Sequence, residues 1–238
     1  MTSRPMGLAR FTLAGLCLWL LGAHAAAAFS ISAGRIQLSD ENPVASVILY
    51  NGTATSAIIH AEAFQWNSSS TGDQRPIKAR DILVSPRSFH LAQGASQEIR
   101  LRERQRTSNR ERTYRLVIGE IPNSMEVTVV NVEFATKFDL PVFVTPEGAH
   151  PEPQWRISES GTMSSAIELS NTGTAHLHVE NLVVSRRTDG KAITTVGAPF
   201  DVLAGRFLTL PIGTVARGVP LRVEAQTNIG PIMVEFPP

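Results

Sequence analysis

The chain has 238 residues, 42% of them hydrophobic, with a formal charge of +1 and a single cysteine, Cys17. That balance provides no broad basic field for nucleic acid or another acidic polymer. One cysteine excludes an intrachain disulfide framework, and the length suffices for two domains of ordinary size.

The first segment reads as an export signal. Arg4 and Arg10 supply a positive region, residues 11–22 an apolar run, and Ala23-His24-Ala25 and Ala26-Ala27-Ala28 two small-x-small cleavage sites. The apolar run is shorter than the ~20 residues of a spanning helix. Leu16 is too large to precede a lipid-bearing cysteine, so Cys17 belongs to the apolar run. Residues 1–28 are expected to be a cleaved signal peptide, with no membrane insertion afterwards. The mature chain would have no cysteine and a charge of −1, because the signal carries two arginines and no acid.

From residue 29 the pattern is β. Apolar runs at 44–50, 57–66, 82–84, 89–91, 96–101 and 113–118 are separated by clusters of Gly, Asn, Asp, Ser and Pro. The next run, 127–144, is longer. Val130, Val132, Phe134, Phe138 and Leu140 fall on one parity, with Thr136 among them; Asn131, Glu133, Lys137 and Asp139 fall on the other. Such alternation marks a strand with one apolar and one polar face. It exceeds the ~5–6 residues of an ordinary strand. Its apolar row either fills the chain's own core or is offered to another chain. About seven strands in little over 100 residues suggest a sandwich.

Residues 145–153 hold three prolines and a glycine, a linker composition. A second set of strands follows at 155–157, 166–169, 176–185, 199–203, 207–210, 221–225 and 232–236. The expected class is all-β, with two sandwiches at 29–145 and 149–238 after the signal.

No Gly-x-Ser-x-Gly, phosphate loop or His-Glu-x-x-His is present, so the chain reads as a non-enzyme with no cofactor. His176 and His178 would share a strand face, but a metal site needs further donors, and exposed strand histidines are the expectation. Arg100, Arg102, Arg104 and Arg106 alternate, followed by Arg110 and Arg112. Glutamates interrupt them and no aromatics interleave, so a solvated strand that discourages edge pairing is favoured over a nucleic-acid site.

The motifs, taken in order, resemble the periplasmic chaperones of the chaperone–usher pilus pathway. Arg35-Ile36-Gln37-Leu38 resembles the family's first-strand motif, Val47 to Asn51 the next strand with its terminal Asn, and Glu62 to Trp66 the strand ending in Trp. Ser85-Pro86 with Phe89, Gln97 with Arg100-Leu101, Glu120-Ile121-Pro122 and Leu140-Pro141-Val142-Phe143-Val144 follow in the family's order. The absence of mature cysteine resembles its cysteine-free branch. The resemblance spans most of 29–144.

It implies two immunoglobulin-like β-sandwich domains at an angle, with a cleft between them. It implies a periplasmic chaperone that completes a pilus subunit's sandwich with its own long strand and delivers the subunit to an outer-membrane usher. The donated side chains would be Val130, Val132 and Phe134, with Phe138 deeper along the strand. The family holds the subunit's terminal carboxylate with basic residues in the cleft. Arg35 is the first match, and Lys137 or Arg115 the second. Three positions depart from the family pattern. Asp139 stands where a basic residue is usual, and Phe143 and Asn228 replace two members of an interdomain acid–base network whose first acid is Glu111. The alternative from the residues alone is a two-domain structural surface protein, a pilin or adhesin.

Overall fold

The computed structural model describes residues 28–66, 76–104, 108–121, 136–160, 164–216 and 218–237. Among them the chain is all strand and loop, with no helix. The first unit contains β1 (Phe29–Ile31), β2 (Ile36–Ser39), β3 (Val44–Asn51), β4 (Ala57–Gln65), β5 (Ile82–Ser85), β6 (Ser88–Leu91), β7 (Ser96–Glu103), β8 (Arg112–Ile121) and β9 (Lys137–Thr145). Two sheets result, ordered β1-β3-β7-β5 and β2-β9-β8-β4-β6.

Period-two alternation decides what enters between them. Val47 and Leu49 of β3, Ile99 and Leu101 of β7, Leu116 and Ile118 of β8, and Leu140 and Val142 of β9 are buried there. Each such side chain contributes roughly 1.5–3 kcal/mol of burial. The chain changes sheets between its first two strands. β1 pairs antiparallel with β3, whereas β2 pairs parallel with β9. The three residues of β1 are too few to leave an alternation signal, and the sequence reading did not identify them as a strand.

The second unit contains β10 (Pro153–Ser160), β11 (Ser164–Asn171), β12 (Leu177–Arg186), β13 (Ala192–Val196), β14 (Phe200–Val202), β15 (Phe207–Gly213), β16 (Leu221–Thr227) and β17 (Gly230–Phe236). Its sheets run β10-β11-β15 and β13-β12-β16-β17, with β14 also on β12. Ile167, Leu169, Leu177, Val179, Leu182, Val184 and Val223 form its separate core. β13 lacks a fully buried residue, which is why its sequence carried no strand pattern.

Both sandwiches use the same corner device. Asn51 at the end of β3 is buried. Its amide donates to the carbonyls of Thr55 and Leu91, and its side-chain oxygen accepts from the Thr53 amide. Asn171 at the end of β11 donates to Ala175 and Val202 and accepts from Gly173. A side-chain amide has the donors and the acceptor that such a turn leaves open.

The arginine alternation is solvated as expected, but it does not guard a sheet edge. β7 lies between β3 and β5, so it is not an edge. Arg100 and Arg102 occupy its solvated outer face. Arg112 instead pairs with buried Glu103 and with Asp81, and the Tyr114 hydroxyl donates to Asp81. Burial, followed by that hydrogen bond, pushes the Tyr114 phenol well above its ordinary pKa. A buried carboxylate needs such partners. Arg106 lies outside the described residues.

Candidate functional site

β9 positions the site. Leu140, Val142 and Val144 face the first core, so 137, 139, 141 and 143 line the opposite face. β8 pairs with β9 from Gly119 opposite Lys137 to Arg112 opposite Val144. On the other side β2 begins only at Ile36, opposite Val142. Residues 137–141 therefore have one hydrogen-bonding edge without a strand partner among the described residues. Arg35 precedes β2 and stands at the end of that open edge. Arg115 of β8 lies opposite Pro141, so Arg35, Pro141 and Arg115 fall in one row across the sheet.

Arg115 is partly occupied. Its Nε donates to Asp139 at 2.8 Å, and its guanidinium sits 4.7 Å from the Trp66 ring centroid. Asp139 at a usually basic position is thus compensated by a base on the neighbouring strand. Lys137 is exposed and has no ion-pair partner among the described residues.

Behind this row the two sandwiches are joined. The Glu111 carboxylate accepts from the backbone amide of His176 at 2.9 Å and bonds the ring Nδ1 through both oxygens. The Thr145 hydroxyl donates to the same carboxylate. Phe143 stacks on the His176 ring with centroids 3.7 Å apart, and Trp66 packs on Phe143 at 5.9 Å. Both side chains of the Glu111–His176 pair are essentially sealed, at 0% and 4% exposure. Arg35 makes the outer contact. Its Nη2 donates to Asp201 at 3.0 Å, and its guanidinium lies 5.3 Å from the Phe143 ring centroid. Asp201 also bonds Nδ1 of His178 at 2.7 Å. Asn228 accepts from the His178 amide and donates to the His176 carbonyl. Arg110 reaches the Gly173 carbonyl and packs so closely against Gly205 (φ +70°) that a Cβ there would collide with it.

Residues 28–150 match the family described as pili and flagellar-assembly chaperone, PapD N-terminal domain. The chain belongs to this family of assembly chaperones.

Solved structures of the family's kind share its fold of two immunoglobulin-like sandwiches at an angle. The chaperone–tip adhesin subunit pre-assembly complex CsuC–CsuE of archaic Csu pili of Acinetobacter baumannii matches at 20% identity and TM-score 0.63, over 88% of this chain and 98% of that one. The SafA pilin–SafB chaperone complex of Salmonella enterica matches at 15% and 0.59, over 88% and 97%. The CupB2 chaperone of Pseudomonas aeruginosa matches at 14% and 0.56, over 88% and 100%. No curated protein matches the chain.

Within this chaperone, Val130, Val132 and Phe134 lie outside the described residues. Phe138 is half-buried against the first sandwich's own core, at the end where that core opens beside Phe29. Of the three expected basic residues, Arg35 and Arg115 share a row and Lys137 stands four residues up the strand. Neither histidine is an exposed strand residue. His176 is buried and His178 is half-buried, because carboxylates from Glu111 and Asp201 satisfy them. Of the two residues that replace the family's charged ones, Phe143 still joins the domains by stacking on His176, whereas Asn228 bonds only the backbone of His176 and His178 inside its own sandwich. Asp201 was missed. It lies in the short apolar run around Phe200 and nothing local sets it apart.

Proposed function

We propose that the chain is a periplasmic chaperone that captures pilus subunits by donating the strand ending in β9, and passes them to an outer-membrane usher. The carrying observation is the open edge at 137–141, closed at one end by β2 with Arg35 beside the closure. An extended segment paired there would have to stop at Ile36. If it ran parallel to β9, its terminal carboxylate would arrive at Arg35, and guanidinium can grip a carboxylate with two bonds. Run the other way, it would bring an ammonium group against the arginine. Backbone pairing would complete the subunit's sheet while alternate side chains fill its groove. No bond-making chemistry, nucleotide or metal is needed.

Val130, Val132 and Phe134 share the parity of Leu140 and Val142, so they would continue the core-facing row beyond the sandwich. Phe138 would be shared, capping this chain's own core next to the groove. For the second anchor the register favours Arg115. Lys137 is four residues from Pro141 along the strand, about 13 Å at ~3.3 Å per residue. Export would remove residues 1–28, leaving domains at 29–145 and 149–238 in the periplasm.

The test is co-purification of small β-rich subunits from periplasmic extract. The unaltered chain is expected to retain them. Phe134→Asp should fold and lose them, because a charge would enter an apolar groove. Subunit retention by Phe134→Asp, or unfolding of that variant alone, would refute donation by this row. The same assay on Arg115→Ala and Lys137→Ala assigns the second anchor.

A further inference from the structure

We propose that Asp201 is a built-in competitor for the carboxylate that Arg35 anchors, and that it lowers the affinity of the cleft for a carboxylate-ended chain. The identity of that ligand rests on the function proposed above. The contact itself belongs to the chain without a partner.

Asp201 is well placed to compete because it is held. It sits in β14, opposite His178 of β12. Its side chain is only 11% exposed and is fixed by the 2.7 Å bond to His178 Nδ1. The His178 backbone is fixed in turn by Asn228. Against this carboxylate Arg35 uses a single nitrogen. Nη2 is 3.0 Å from one oxygen and 3.3 Å from the other. Nη1 and Nε have no hydrogen-bond partner among the described residues, and the side chain is 34% exposed. The guanidinium therefore has donors left for a second carboxylate. Its charge, however, is already opposed by a fixed negative charge in direct contact. An incoming carboxylate meets attraction from Arg35 and repulsion from Asp201 at similar range, and most of the attraction cancels.

The same contact joins the two sandwiches. Whatever draws Arg35 from Asp201 weakens the outer interdomain contact, and by linkage a tighter interdomain contact weakens anchoring. Release of a captured chain is then favoured by re-forming Arg35–Asp201.

Acetate is a sufficient probe, and the mature chain can be used without a subunit. Arg35 Nε–H is followed by NMR during an acetate titration of the unaltered chain and of Asp201→Asn. Asn keeps an oxygen for Arg35 and removes the charge. The expected result is half-saturation in Asp201→Asn at an acetate concentration at least about fivefold lower, the lower bound set by two unit charges about 4 Å apart in bulk water. Equal or weaker binding in the variant overturns the proposal, as does an Arg35 that acetate does not move in either protein. Acetamide, uncharged and of similar size, should move neither; an equal response to it also overturns the proposal. Should Asp201→Asn not fold, the unaltered chain decides. Acetate should shift the Asp201 Cγ resonance in step with Arg35 Nε, and an unmoved Asp201 beside a moving Arg35 sinks the idea. Failure of the chaperone reading looks different: no subunit co-purifies while the acetate responses stand.

Discussion

Glu111–His176 and Arg35–Asp201 join the same two sandwiches through a carboxylate and a nitrogen base, yet their surroundings differ. The first is sealed under Phe143 and Thr145, and the carboxylate receives three kinds of donor: an amide, an imidazole and a hydroxyl. The second lies at the lip of the cleft, with one nitrogen of Arg35 engaged and a third of its side chain exposed. A buried pair of this kind is costly to break because either partner alone is left desolvated. A lip contact is weak in water and exchangeable. The inner pair therefore sets how the domains are held, and the outer one is available to a ligand.

The comparison can be broken most directly at the inner pair. Glu111→Ala should lower the stability of the whole chain by about 3–5 kcal/mol, read from denaturant midpoints, since it strands His176 in the interface. A loss below about 1 kcal/mol would mean that the pair is not a structural lock. At the outer pair the prediction divides. Arg35→Ala should weaken subunit capture by about 2–5 kcal/mol. The stability of the free chain should fall by less than about 1 kcal/mol, the range of partly exposed ion pairs. Equal losses in capture and stability would erase the distinction between the two contacts.

Gly205→Ala tests the remaining part of the boundary. Its positive φ and the Arg110 side chain against it predict a loss of about 1–3 kcal/mol, measured by thermal unfolding. Arg110→Ala should relieve the collision part of that loss, so the double variant should be more stable than the sum of the single losses predicts. The smallest expected effect is none. Thermal melts of residues 29–238 with and without a thiol reductant should superimpose, because Cys17, the sole cysteine of the sequence, precedes that span.

The alternating segments determined most of the fold by themselves. Period two along 44–50, 96–101 and 113–118 specifies which face is buried, and the Asn at the end of β3 identifies a corner, because these are properties of neighbours in sequence. The same holds for the parity of β9, and so for which of its residues could be offered outward. Arg35 was legible too, as part of a motif with Ile36 and Leu38. The partners of the site were not. That Arg35 faces Asp201, that His176 is buried by Glu111 and Phe143, and that Arg115 rather than Lys137 shares a row with Arg35 depend on residues from separate strands or from opposite sandwiches. Nothing local encodes such pairings. They arise only when β2 joins β9 at Val142 and the second domain packs against Phe143, so register and domain contact decided what the sequence left open.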